Sequence, residues 1–485
     1  MLFVTPQRRD LEVIKATLQI FGLASGLFSN LEKSVAMPMH SSDEDMLRVQ
    51  SVLACGVQQF PCHYLGIPLS VHRLKRADEQ PLVDKVAARI PGWKGQLLNV
   101  AGRTALISAT LSVVPVHTMI AVCLSPWAVK AIDKVRRAFL WTGTESVSAG
   151  RCKVAWATCS RPKQLGGLGI SDLRRTGVAL RVRWLWRERL EGRASAQADP
   201  AALALFRAAA VLNLGNSRST LFWKDRWIDG QCIKDLAPAV FQAVKPRKRN
   251  VTVAEALQND VWVRHLRGPV TAQLLLEISR LFDRLVDINL SSEPDTFRWR
   301  LTADGEYSAA SAYGAMFLGS STTVGAKQLW KTRAPPRVRF FVWLILHGLC
   351  WTAERRFRHG PQNNDVCIIC DQSSETMDHL VLGCVFSREV WGILLRRLHL
   401  GHLLVDEQSV IDWWLQARKT IDKPFRAGFD SFFLMAWNLW KERNTRTFQG
   451  VERTASRLAD DIQQELNLWC SAGYRGLSAL AARFA

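Results

Sequence analysis

Acidic side chains are in short supply in this sequence: 43 aspartates and glutamates face 64 lysines and arginines over 485 residues, for a formal charge of +21. That imbalance argues against a basic partner and makes a polyanion the first candidate. Low-complexity runs are missing too, and with 48% hydrophobic and 22% charged residues the chain reads as globular rather than disordered. Its N-terminus, MLFVTPQRRDLEVIK, lacks the apolar stretch of a secretory signal. The eleven cysteines are odd in number, and eight are scattered: Cys55, Cys62, Cys123, Cys152, Cys159, Cys232, Cys350 and Cys470. They read as small hydrophobes in a reducing, intracellular setting, nucleus or cytoplasm, rather than as disulfides. One segment, residues 104–129, carries no formal charge, yet Pro115, Pro126 and several hydroxyl residues interrupt it. It is expected to form buried helices separated at Pro115, with no membrane span.

What is abundant is arginine, and it is concentrated. Residues 161–190 hold Arg161, Lys163, Arg174, Arg175, Arg181, Arg183, Arg187 and Arg189 against Asp172 and Glu188, with Trp184 and Trp186 between them. Residues 331–360 hold Lys331, Arg333, Arg337, Arg339, Arg355, Arg356 and Arg358 against Glu354 alone. Guanidinium groups pair with phosphates and indole rings stack on bases, so Arg174, Arg175, Arg181, Arg183, Arg187, Arg337 and Arg339 are candidate contacts to RNA and/or DNA. A solvated basic face is the alternative. Most of the 19 tryptophans are expected to be packing residues, because so many cannot all touch one ligand.

The apolar spacing predicts a largely helical, α+β chain long enough for about three or four domains. A strand over "LFV" should lead into a helix capped at Thr5 with Pro6 at its first position, closed by Gly22 and Gly26. Short strands or hairpins are expected around Val35 and Tyr64, and helical periodicity runs from about Lys75 to Leu190. "LGGLGI" at 165–170 lacks the spacing of a phosphate-binding loop and reads as a turn. "DTFRWRLTADGEY" predicts a strand carrying Phe297, Trp299 and Leu301, a turn at Asp304 and Gly305, and a short return strand. Apolar helices follow from about Val338 to Leu349, through Leu394 and Leu398, and near 454–470.

One cluster has metal-ligand spacing: Cys367, Cys370, His379 and Cys384, a C-x2-C-x8-H-x4-C pattern. A C-x2-C turn sets two thiolates on one side of a zinc ion and the later pair closes the tetrahedron. Four protein ligands leave no open position, so the zinc would be structural and would help fold a segment too short to bury its own core. His359 is a possible substitute ligand. An accidental cluster between apolar helices is the competing reading.

These residues carry a resemblance. "LWKTRAPPRVRFFVWLILHGLCWT" followed by "CIICDQSSETMDHLVLGCVFSREVW", with Glu375, His379, Cys384 and Trp391 in order, is similar to the zinc-binding region of plant LINE-type (non-LTR) retrotransposon reverse transcriptases. "GLFSNLEKS", "YLGIPLS", "WKGQLLNVAGRTALISATLSVVPVHTM", "FLWTG", "GGLGISDL" and "WNLWKERNTRTF" resemble the same family in the same order.

The resemblance implies a right-hand polymerase with this organisation: a palm remnant and primer-grip-like region at 1–70; a thumb-like helical domain at 71–190; a linker and mixed segment at 191–325; the zinc-binding domain at 326–400; and a helical C-terminal tail at 401–485. Lys33 then matches a basic palm motif, and Tyr64 with Leu65 and Gly66 matches the loop that grips the primer. The family's Tyr-x-Asp-Asp hairpin, whose carboxylates would hold Mg2+ in a full-length polymerase, is expected to precede this stretch in the parent element. The sequence shows no Asp-Asp pair before residue 10, and its only one is Asp460-Asp461. No polymerase activity is therefore expected of this chain alone, and no acidic set convincing for a ribonuclease H site stands out. The expected function is that of a truncated reverse transcriptase that binds nucleic acid around a structural zinc. The competing function is a zinc-stabilised protein-interaction module without nucleic-acid binding; oligomeric state is not readable.

Overall fold

The computed structural model describes every residue except 1, 32, 93, 192–198, 229, 361–362, 405–408 and 485. The fold is mostly helical, with 58% helix and 6% strand, and its strands form three two-stranded sheets among the described residues.

Helix α1 (Arg8–Ser25) starts later than the Thr5-Pro6 signal, with Gln7 at its N-cap and no side-chain cap bond. Residues 2–7 form no regular element, so the expected strand over "LFV" is absent; none of the sheets offers it a partner, and a strand without one leaves its backbone donors and acceptors unpaired. At the other end Gly26, at φ 73, donates its N–H to the Gly22 carbonyl at 2.9 Å. Strand β1 (Val35–Ala36) pairs in parallel with β2 (Gly56–Val57). Helix α2 (Asp43–Leu53) is closed by a Ser42–Asp45 capping box and packs on α1 through Leu11, Val49 and Cys55.

Strands β3 (Cys62–Tyr64) and β4 (Ile67–Leu69) form a hairpin with Tyr64 opposite Ile67. Both turn residues have positive φ, Leu65 at 51 and Gly66 at 77, the pattern of the two-residue turn whose twist matches a hairpin. Glycine is suited to the second place because a Cβ there disfavours left-handed backbone.

The helical stretch predicted after Lys75 contains α3 (Arg76–Ala87), α4 (Val100–Leu106), α5 (Val116–Ala121), α6 (Pro126–Thr142) and α7 (Leu173–Leu190). Asn99, Ser125 and Asp172 cap α4, α6 and α7, each accepting a first-turn N–H. The uncharged segment is divided at Pro115 and by a π turn over Ile107–Leu111. No helix among the described residues is long and apolar enough to cross a membrane.

The "LGGLGI" segment is a packed turn. A Cβ at Gly167 would lie 1.9 Å from the Arg161 carbonyl oxygen. The Gly166 carbonyl accepts from Trp343 Nε1 at 2.7 Å and lies 2.9 Å from His347 Nε2.

Helix α8 (Pro200–Ala209) runs into β5 (Ala210–Asn213), which pairs antiparallel with β6 (Thr296–Trp299). The predicted strand at 296 exists, but the return strand does not: the Trp299 backbone N–H donates to the Gly305 carbonyl at 2.6 Å and the chain enters helix α9 (Ala309–Ala315). Alternation in sequence identifies a strand without naming its partner, and here the partner lies upstream across a long connection. The tryptophans between these strands are core residues, with Trp223 and Trp262 edge-on to one another.

Helices α10 (Pro336–Leu346), α11 (Ala353–Arg358), α12 (Val385–Arg397), α13 (Val410–Thr420), α14 (Arg426–Phe433), α15 (Ala436–Gln449) and α16 (Ala455–Ser471) complete the part that matters for the site. One apolar core joins Ile107 and Phe139 to Trp343, Trp391, Phe432, Ile462 and Leu480. The intervening segment builds separate cores, around Trp223 and Trp262 and around Trp186 and Trp299.

Candidate metal centre

The cysteine-rich segment begins as a tight hairpin. Val366 bridges Ser374, and the Cys367 N–H donates to the Ser373 carbonyl at 2.8 Å. Asp371, at φ 56, turns the chain so that its N–H returns to the Cys367 carbonyl at 2.8 Å. This places Cys370 beside Cys367.

The other pair depends on an unusual helical turn. Residues five apart in an α-helix point about 140° away from each other, so an H-x4-C pair would diverge. Here His379–Gly383 forms a π turn, closed by the Cys384 N–H on the His379 carbonyl at 2.6 Å, and the wider turn returns Cys384 to the side of His379. Trp391 Nε1 donates to the Val381 carbonyl at 2.8 Å and the Ser387 hydroxyl to the Leu380 carbonyl at 2.6 Å, so α12 holds the π turn in place.

The ligand atoms of Cys367, Cys370, His379 and Cys384 all lie within 4.8 Å of one another. Cys370 Sγ is 3.2 Å from His379 Nε2. A tetrahedral zinc with sulfur bonds near 2.3 Å needs ligand separations of about 3.8 Å, so the set fits with small adjustments. Its chemistry fits as well. Cys384 is held below the usual thiol range by a hydrogen bond from Cys367, helped by backbone N–H groups of Ser387 and Phe386 at the start of α12. Cys367 is correspondingly raised, first by that bond and then by burial. Burial pushes His379 down, favouring the neutral ring that a metal requires. Backbone donors aimed at sulfur favour thiolate, and four ligands close the coordination sphere. His359 is exposed and packs edge-on against Trp351.

What holds this cluster to the rest of the fold is a buried ion pair with no local sequence signature. The fully buried Glu375 carboxylate accepts from the Ala353 N–H at 2.7 Å and from Arg443 of α15 at 2.8 Å. Arg443 in turn lies over the Trp440 ring. Glu375 was visible only as part of the resemblance; its partner, 68 residues later, carries no local signal.

The candidate nucleic-acid residues fall into distinct settings. Arg174, Arg183 and Arg187 are exposed along α7, Arg187 over the half-exposed Trp184 ring. Arg175 and Arg181 are ion-paired instead, with Asp172 and with Asp199 at 2.9 Å. Arg189, a neighbour in the same window, is buried on Asp225. Arg337 is exposed, whereas Arg339 is half-buried and burial lowers its pKa. Lys33 is exposed, with its backbone N–H on Asn30 Oδ1 at 3.0 Å. Tyr64 and Gly66 sit at the exposed hairpin tip, where the Leu65 carbonyl lies 3.0 Å from His117 Nε2. Asp460 and Asp461 lie on α16, ion-paired with Arg397 and with Arg453 and Arg457.

Comparison with known proteins agrees with this geometry. Residues 307–391 match the family described as zinc-binding in reverse transcriptase. A putative ribonuclease H protein of Arabidopsis thaliana is 26% identical over 363 residues, covering 67% of this chain and 57% of the relative. The chain thus spans little more than half the length of that relative. With the Cys3His cluster inside the matched segment, the chain carries at residues 307–391 the zinc-binding domain of reverse transcriptases.

Proposed function

We propose that this chain is a nucleic-acid-binding portion of a LINE-type retrotransposon reverse transcriptase, with residues 71–190 as thumb and a structural zinc held by Cys367, Cys370, His379 and Cys384. The observation that carries the reading is the match of residues 307–391 to the reverse-transcriptase zinc-binding family, with the four ligand atoms gathered inside it. When bound, zinc supplies no open coordination position for substrate; it ties the hairpin at Cys367 to the π turn at His379. The exposed Arg174, Arg183 and Arg187 supply charge for phosphates, and Lys33 and the Tyr64–Gly66 hairpin supply palm-side contacts. No nucleotidyl transfer is assigned to these residues: Asp460 and Asp461 lie on helix α16 and are ion-paired with arginines, and Mg2+ chemistry belongs to a full-length polymerase. The ribonuclease in the relative's name is a description of that relative.

Binding of short single- and double-stranded RNA and DNA, followed by fluorescence anisotropy over a salt series, tests the proposal. Affinity should fall by about 0.7–0.9 log units per phosphate contact for each log unit of salt. Failure of all four nucleic acids to bind at low salt would leave the zinc-stabilised protein-interaction module as the better reading.

A further inference from the structure

Arg443, the partner of Glu375, also lines a cavity of about 680 Å3, within the range of about 300–1,000 Å3 that accommodates small organic ligands. Its walls come from the N-terminal end of α4, from α10, from the segment after it and from α15, so it exists only because the early helices and the C-terminal helices share a core. The charged residues lining it are Lys153, Arg337, Arg356 and Arg443, with no acidic side chain. Arg443 is committed to Glu375. Lys153, Arg337 and Arg356 have no carboxylate partner among the described residues, unlike Arg175, Arg181 and Arg189 on α7.

Much of the remaining wall is aromatic. Trp437 and Trp440 line it from α15, packed against Phe341, and Trp351 lies at the side with Arg355 over its ring. Phe448, on the last turn of α15, is 69% exposed and has no aromatic partner among the described residues. An exposed ring with open faces, beside unpaired cations, matches what an unstacked base and its phosphates require. A duplex offers no free base face to such a ring.

We propose that this cavity binds single-stranded nucleic acid, with one splayed base stacked on Phe448 and the flanking phosphates held by Lys153, Arg337 and Arg356. The inference rests on the nucleic-acid-binding reading above and adds a site and a strandedness to it. It is separate from the exposed arginines of α7, which suit the backbone of a duplex.

The test compares the zinc-loaded 485-residue chain with two double variants, using a labelled 12-nucleotide single-stranded RNA, its DNA counterpart and the corresponding duplexes. Phe448→Ala with Arg356→Ala should weaken single-strand binding about tenfold or more, the scale of losing one stacked base and a phosphate contact, and leave duplex binding unchanged. Arg183→Ala with Arg187→Ala should weaken duplex binding more than single-strand binding. As a measurement independent of variant folding, photocrosslinking of 4-thiouridine-containing RNA to the wild-type protein should place crosslinks at Phe448 or Trp351. If the wild-type protein binds single strands but the cavity variant binds them equally well and crosslinks map elsewhere, the cavity proposal fails alone. If the wild-type protein binds no nucleic acid, both readings fail together.

Discussion

Arg443 places its guanidinium on both carboxylate oxygens of Glu375, with Nε at 2.9 and 3.0 Å, and the two side chains are almost wholly withdrawn from solvent. The pair joins the zinc-binding segment to a helix that carries no cysteine or histidine. Removing one partner strands a buried charge, which costs far more than the intact pair contributes. Arg443→Ala is therefore expected to destabilise the zinc-loaded protein by about 3–5 kcal/mol in urea unfolding. Arg443→Lys, which keeps the charge but loses the fork, should lose less. A change below about 1 kcal/mol for the alanine variant would show that the pair does not bear on stability.

Cys370→Ser removes one of the four thiol and imidazole donors. Zinc content, measured by mass spectrometry of the purified protein, should drop below one ion per chain, and hydrogen exchange should quicken through residues 365–385. Helices α1 and α2, which have their own small core around Leu11, Val49 and Cys55, should exchange at the wild-type rate. Unchanged zinc stoichiometry would remove Cys370 from the ligand set.

Acid should release the metal. The His379 ring, held below its ordinary 6.5 by burial, is neutral above that pH, and Cys384 is biased toward thiolate. As the pH falls below about 6.5, protons compete first for the thiolates and then for the ring. The metal-free fold has the same sign: a ring with a lowered folded pKa binds fewer protons than its unfolded counterpart, so its contribution to stability declines as pH drops below 6.5. A chromogenic chelator titration from pH 8 to pH 4 should show zinc release rising monotonically toward acid. Retention of full stoichiometry at pH 4 would contradict a cysteine-rich zinc site.

The ligand cluster was legible because its spacing is local: C-x2-C and the His and Cys that follow are all within eighteen residues. The helical stretch from Lys75 to Leu190 was legible from its apolar periodicity, whereas its individual starts are seen in the structure, where Ser125 and Asp172 each cap a first turn. The start of α1 was not, because Thr5 and Pro6 form a good local signal that the surrounding fold does not use. The partner of β6 was invisible for a different reason: pairing Ala210 with Trp299 is a long-range choice, and alternation carries no address. Charge was only half informative. The arginines of α7 look alike in sequence, yet Arg181 and Arg189 are consumed by aspartates while Arg183 and Arg187 remain exposed. Likewise the cavity draws its cations from three separate stretches, so no window of sequence could display it.

The apolar core that joins Ile107 and Phe139 to Trp391 and Leu480 also has a meaning in time. At a synthesis rate of about 5–20 residues per second, Ile107 would leave the ribosome roughly 20–75 s before Leu480. During that interval the early helices would carry an apolar face whose natural cover has yet to be made. A chaperone that shields exposed hydrophobic surface would therefore act earliest on these helices, well before the zinc ligands are translated.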